Sequence, residues 1–196
     1  MKKYVSVVLL AMTVLVFSCE KDDTATHTGS IEGNYIFKYL TSQTSSTLTD
    51  DEGGKAVSLA NYTTTDNKGT VVIDANKITT TGFTYSVNAT SSNYFYQDNQ
   101  LVDSVNFPLI ITIPPISSAV SYKLLGSDSI FVADGLVPAG GVGGVTNSGG
   151  SGGRYKLEGN VLTITQHFSK DSVFTDTGIQ YRLQESALSS IVMEKQ

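Results

Sequence analysis

Only a handful of side chains in this chain could do chemistry, and their settings narrow what that chemistry is. Cys19 is the single cysteine among 196 residues, so no intramolecular disulfide can form. A lone thiol next to a short apolar leader calls for another use. His27 and His167 are the only histidines. His27 sits in a polar tether without apolar periodicity, as a solvated side chain. His167 falls on the outward phase of a strand pattern in which Leu162 and Ile164 point inward, so it reads as an exposed strand residue rather than a ligand or base.

The remaining candidates are carboxylates and a glycine run. Asp50, Asp51 and Glu52 are consecutive and lack the alternate-position oxygen ligands of an EF-hand loop. Pro138 to Gly153 is glycine-rich and is followed by Arg154, whereas a phosphate-binding P-loop continues into Lys-Ser/Thr and a helix. It is expected to be a flexible loop. The sequence contains no Gly-x-Ser-x-Gly elbow and no His-Glu-x-x-His. A carboxylate pair for glycoside hydrolysis needs no local motif, but no pair is marked out. The expectation is a chain that is not an enzyme, with no catalytic residue, no metal site and no cofactor.

The elements around Cys19 give it a role. Met1-Lys2-Lys3 is a short positive region, and Tyr4 to Phe17 is an apolar run broken only by Ser6 and Thr13. That length suits a secretory signal and falls short of the roughly 20 residues needed to span a bilayer. Val16, Ser18 and Cys19, in that spacing, resemble the signal of bacterial lipoproteins, in which the leader is cleaved just before a diacylated cysteine. The resemblance implies that residues 1–18 are removed and that residues 19–30 form a lipidated tether. It also implies that acylated Cys19 holds the chain on a lipid bilayer, since two or more acyl chains anchor stably where one does not. Glu20-Lys21-Asp22-Asp23 resembles the acidic signal after the lipidated cysteine in surface-exposed lipoproteins of the Bacteroidetes type. This places the protein on the outer membrane, either displayed on the cell surface or facing the periplasm.

Charge excludes other partners. The chain has 13 Lys and Arg against 18 Asp and Glu, a net charge of −5, and loss of Lys2 and Lys3 with the signal makes it −7. Nucleic acids and anionic lipid surfaces select basic patches, so no nucleic-acid partner is expected.

Residues 31–196 form one domain dominated by β patterns. Phe83, Tyr85, Val87 and Ala89 alternate with polar residues in the cleanest period-two stretch of the chain. Tyr35, Phe37 and Tyr39 share one phase of a first strand. Hairpins are expected at Ala75-Asn76, at Gln97–Gln100, at Gly126–Asp128 and at Gly159-Asn160, the last as a two-residue type II′ turn. Thr41 to Lys55 reads as a polar loop, Pro108 as a strand end or an edge position, Leu109–Ile113 as a wholly apolar run closed by Pro114-Pro115, and Glu185 to Ser190 as a helical turn. Nine to eleven short strands predict an all-β fold, a single antiparallel barrel or alternatively a β-sandwich.

Gly33-Asn34-Tyr35, the hairpin Tyr155 to Thr165 and the closing Met193-Glu194-Lys195 together resemble small lipocalin-like lipoproteins. The resemblance implies a barrel whose interior receives a small, partly apolar ligand, with Tyr35, Phe37, Tyr85, Leu162 and Ile164 pointing inward. The competing expectation is a structural or interaction protein of the outer membrane surface that contacts a protein or a glycan.

Overall fold

The computed structural model describes residues 30–133 and 150–196. The leader, Cys19 and the tether through Gly29 lie outside these residues, as does the glycine-rich stretch up to 149. Among the described residues nine strands make up one antiparallel sheet: β1 (Gly33–Asp50), β2 (Gly54–Thr63), β3 (Thr65–Ile73), β4 (Lys77–Gln97), β5 (Gln100–Leu124), β6 (Ser129–Val132), β7 (Ser151–Glu158), β8 (Val161–Asp176) and β9 (Ile179–Lys195). No helix among the described residues is long and apolar enough to cross a membrane. The all-β class and the single antiparallel sheet are as the sequence predicts, although the strands are longer than expected.

The ladders run in a closed circuit. β1 pairs with β3 at Gly33–Ile36, the pairing passes through β4, β5, β6, β7 and β8 to β9, and β9 returns to β1 from Tyr35 to Asp50. The ring is barrel-like and encloses the apolar side chains, and a flattened, sandwich-like cross-section accommodates the same circuit. Higher on β1, β2 replaces β3 as the partner, over Thr41–Thr49. Thr64, at the break between β2 and β3, makes this exchange: its hydroxyl accepts from Leu40 N at 2.9 Å and its N–H donates to Leu40 O at 2.9 Å.

Several local expectations are corrected. Thr41 to Lys55 is not a loop but the upper part of β1, the Asp51–Gly53 turn and the start of β2. Its hydroxyl-rich sequence hides the strand from a burial pattern, yet β1 is paired there on both sides. The apolar run Leu109–Ile113 lies inside β5, which runs unbroken through Pro108, Pro114 and Pro115. Proline is tolerated there because β5 pairs only with β4 until Tyr122, so that a missing N–H can face the open edge. Glu185 to Ser190 is strand rather than helical turn, held in register by β1 and β8. Ser151–Gly153, assigned to the glycine-rich loop by composition, opens β7. Tyr39 does not share the inner face with Tyr35 and Phe37: the register shifts between Phe37 and Tyr39, which leaves Tyr39 40% exposed and turns Leu40 inward.

The turns match their chemistry. Gly159 adopts φ +61° and Asn160 stays negative, as a type II′ turn requires. Asp98 and Asn99 are both positive, at φ 50° and 63°, the pattern of a type I′ turn.

Candidate binding surface

The molecule has two ends of different construction. At one end, around residues 31–40, 71–87, 113–132, 151–164 and 191–193, side chains fill the ring. Tyr35, Phe37, Tyr85, Leu162 and Ile164 all lie here, each no more than 2% exposed. Phe37 stacks on Phe83 with centroids 4.1 Å apart, and Tyr85 meets both rings edge-on at 6.3 and 5.9 Å. The Tyr35 hydroxyl donates to Ile31 O at 2.7 Å, and that of Tyr122 to Asp74 O at 2.6 Å. The five residues singled out by the strand pattern are therefore brought together, but as mutually packed core.

A polar layer caps this core. Ser42 and Ser189 hydroxyls lie 2.9 Å apart, and Gln166 donates to the Ser151 hydroxyl at 2.6 Å. Burial pushes the Tyr85 phenol up to about 12, with Tyr62 nearby as a lesser cause. Burial also raises Tyr62, partly offset by its hydrogen bond with Ser42.

Above the layer the sheet continues without a filled interior. Six strands in the order β5-β4-β2-β1-β9-β8 extend to the turns at Asp51–Gly53, Asp98-Asn99 and Thr177-Gly178. We call this part the flange. Because β6 and β7 stop at the level of the body, no described strand fills the space between the flange edges of β5 and β8. In the ring those two strands are three spacings apart, about 14 Å at roughly 4.8 Å each.

The pairing registers fix which flange residues share a face. One face continues the interior: Phe107, Ser91, Ala60, Thr44, Ala187 and Phe168 form a single row across it, with small residues between two aromatics. The next row outward runs Val105, Asn93, Ser58, Ser46, Glu185 and Lys170. The flange residues that are buried, Ser42, Ala60, Gln166 and Glu185, all belong to this face, whereas Gln43, Leu59, Asn61 and Leu188 on the opposite face are exposed. The inward face is therefore the more enclosed and forms a trough. Its walls carry Phe107, 53% exposed, and Phe174, 46% exposed, the latter stacked on Tyr181 at 5.4 Å.

Glu185 is the one charged residue of the described chain that is buried, at 7% exposure. Its side chain forms no hydrogen bond or ion pair with any described residue, including Lys170 directly across the ladder. No side-chain polar atom among the described residues is both sealed from solvent and unpaired, so its carboxylate tip opens into the trough.

The outer face of the flange holds two shallow depressions of about 540 and 530 Å³. The first is bordered by Asp50, Asp51 and the Asp171–Arg182 ion pair, in which Arg182 Nε donates to Asp171 Oδ1 at 3.0 Å. That pairing holds the Asp171 carboxyl below its ordinary value. Asp50 accepts from the N–H groups of Glu52 and Gly54 at 3.0 and 2.7 Å, which makes it a turn residue. His167 is exposed. Among the described residues no group of three or more His, Cys, Asp or Glu could hold a metal ion.

Sequence reasoning missed the trough and Glu185. Glu185 was read into a helical turn, and only its registers with Ser46 and Lys170 put it on the inward face. Its alternation with Leu183 and Ala187 was the available signal. Comparisons with protein-family models, with curated protein sequences and with solved structures found no match to this chain.

Proposed function

We propose that this chain is a lipoprotein of the cell envelope, anchored through acylated Cys19, whose body serves as a pedestal and whose flange meets a protein or glycan partner. The observation that carries the reading is the end-to-end difference between a side-chain-filled body and a flange whose aromatic walls stand half exposed. Orientation supports it: β1 begins at Gly33 in the body, at the end opposite the flange turns, so a tether joined there directs the flange away from the bilayer. The alternative of a small, partly apolar ligand among Tyr35, Phe37, Tyr85, Leu162 and Ile164 is less well supported, since such a ligand would have to displace the Phe37–Phe83 stack.

Two experiments test the reading. Cys19→Ser should move the protein from the membrane fraction to the soluble fraction, and unchanged membrane retention contradicts the anchor. Photo-crosslinking groups placed at Phe107 in the flange and at Phe131 in the body should give cross-links from the first alone. Equal capture from both positions contradicts the assignment of the surface.

A further inference from the structure

Charge is distributed unevenly between the two ends. Flange residues 41–63, 88–112 and 165–190 contain eight carboxylates against three Lys and Arg, a balance of −5. The other described residues contain six carboxylates against seven Lys and Arg, a balance of +1. The acidic groups are spread over all three flange hairpins, for instance Asp51, Asp103 and Asp176, and the bases near them are Lys55, Lys170 and Arg182. Arg182 is already committed to Asp171, and Lys55 lies over the Tyr96 ring at 5.2 Å.

Resting on the reading of the flange as the docking end, we propose that its partner is a basic polypeptide segment that lies extended in the trough and sets a Lys or Arg side chain against Glu185. Three observations select this occupant. Glu185 is 7% exposed and its side chain has no partner among the described residues, while its carboxylate tip opens into the trough, where a cationic side chain can reach it. The floor of the trough runs over six strands, a contour of five spacings or about 24 Å between edges that stand about 14 Å apart, which suits a polymer rather than a single small amine. The side of β8 away from β9 is unpaired among the described residues from His167 to Asp176 and has no proline, so it offers backbone N–H and C=O groups to an added strand. The facing edge of β5 carries Pro108, Pro114 and Pro115, which blunt it. A second copy would set −5 against −5, and an anionic lipid surface is repelled for the same reason.

The test uses the full acylated chain in phosphatidylcholine vesicles and a labelled twelve-residue peptide alternating lysine and valine. Control probes are the same peptide with glutamate for lysine and a neutral oligosaccharide, cellohexaose. The lysine peptide should bind at least about tenfold more tightly than the glutamate peptide and weaken as salt rises, because flange charges are screened. Glu185→Gln should lower its affinity about tenfold, as expected for losing one member of a desolvated charge pair. Asp66→Asn, in the body, should change it less than about twofold, since a remote charge is largely screened. If Glu185→Gln folds poorly by tyrosine circular dichroism, the exposed pair Asp98→Asn with Asp103→Asn replaces it and should weaken binding in the same direction. Equal binding of the lysine and glutamate peptides overturns the proposal. Cellohexaose binding that the flange variants abolish, without lysine-peptide binding, overturns the basic partner but leaves the flange as the docking end. Loss of flange cross-links together with indifference of every probe to flange substitutions overturns both.

Discussion

The body and the flange are built from the same strands and hold together differently. β1, β4, β5, β8 and β9 pass through both, so backbone pairing is continuous from end to end. In the body each inward position meets another side chain, and aromatic rings stack across the ring. In the middle of the flange the inward positions Thr44, Ser46, Ser58, Ala60 and Ala187 are small or hydroxylated, and the strands are held by their neighbours. Ser58 donates to Asn93 Oδ1 at 2.5 Å, and the Thr165 and Ser190 hydroxyls lie 2.8 Å apart. The difference teaches that a long antiparallel ladder can persist beyond its core where strands are paired on both sides and rich in β-branched and hydroxyl residues. Such a region leaves its inward face open.

Substitutions at the two ends should differ most at aromatic positions. Phe83→Ala removes the central ring of the body cluster and should cost about 3–5 kcal/mol in denaturant unfolding. Phe107→Ala, at a half-exposed flange wall, should stay within about 0.5 kcal/mol. A comparable cost at both sites would mean that the flange has a buried core of its own.

Glycines give a second contrast. Gly69 sits at a register shift in the body with φ +123°, and a Cβ there would lie 2.8 Å from Phe83 Cα. Gly69→Ala should destabilise by about 2–3 kcal/mol through strained backbone and forced displacement. Gly178, at φ +90° in a flange turn, has nothing within 4 Å of its Cβ position. Gly178→Ala should cost about 1 kcal/mol, from conformation alone.

Alkaline titration probes the body and its cap. Burial raises the phenols of Tyr35, Tyr62, Tyr85 and Tyr122, with Tyr85 at about 12. An acid whose folded value is raised contributes stability that is intact below the unfolded value of about 10 and is lost as pH rises through the folded value. Stability should therefore fall between about pH 10 and 12, and Tyr85→Phe should flatten that fall. Ultraviolet absorbance followed against pH checks both; ionisation of Tyr85 at an ordinary phenol value would contradict its burial.

The smallest effect belongs to the flange surface. Arg182 lowers the Asp171 carboxyl chiefly by hydrogen bonding, so the contribution of the pair is present above the ordinary carboxylate value and lost as the pH falls through the lowered one. Because the pair is exposed and screened, Asp171→Asn should leave the melting temperature at neutral pH unchanged within error. A clear drop would mean that the pair helps to hold the β8–β9 hairpin.

Much of the body was legible in the chain. Tyr35, Phe37, Tyr85, Leu162 and Ile164 declare themselves by alternation, and each is buried. Tyr39 misleads because a register shift after Phe37 resets the phase, and no local residue type announces that shift. The flange was hardly legible. Thr41 to Asp50 has the composition of a loop and becomes strand because β2 and β9 flank it. Pro108, Pro114 and Pro115 suggest termini in β5, yet its open edge tolerates them.

By itself the sequence determined the all-β class, the turns near Ala75, Asp98, Gly126 and Gly159 and the inward residues Tyr35, Phe37, Tyr85, Leu162 and Ile164, since these follow from period-two alternation and the φ preferences of glycine, asparagine and aspartate, which act between near neighbours. It also carries the apolar run Tyr4–Phe17 and Cys19, on which the proposed anchor rests. Tertiary structure alone decided that β9 closes the ring on β1, that β1 changes partner at Thr64, and that six strands run on past the core. It alone placed Glu185 on the enclosed face. The closure and the placement of Glu185 depend on β1–β9 pairing between segments more than a hundred residues apart, and the exchange at Thr64 on a contact with Leu40 24 residues away, where register rather than residue type assigns a side chain to one face or the other.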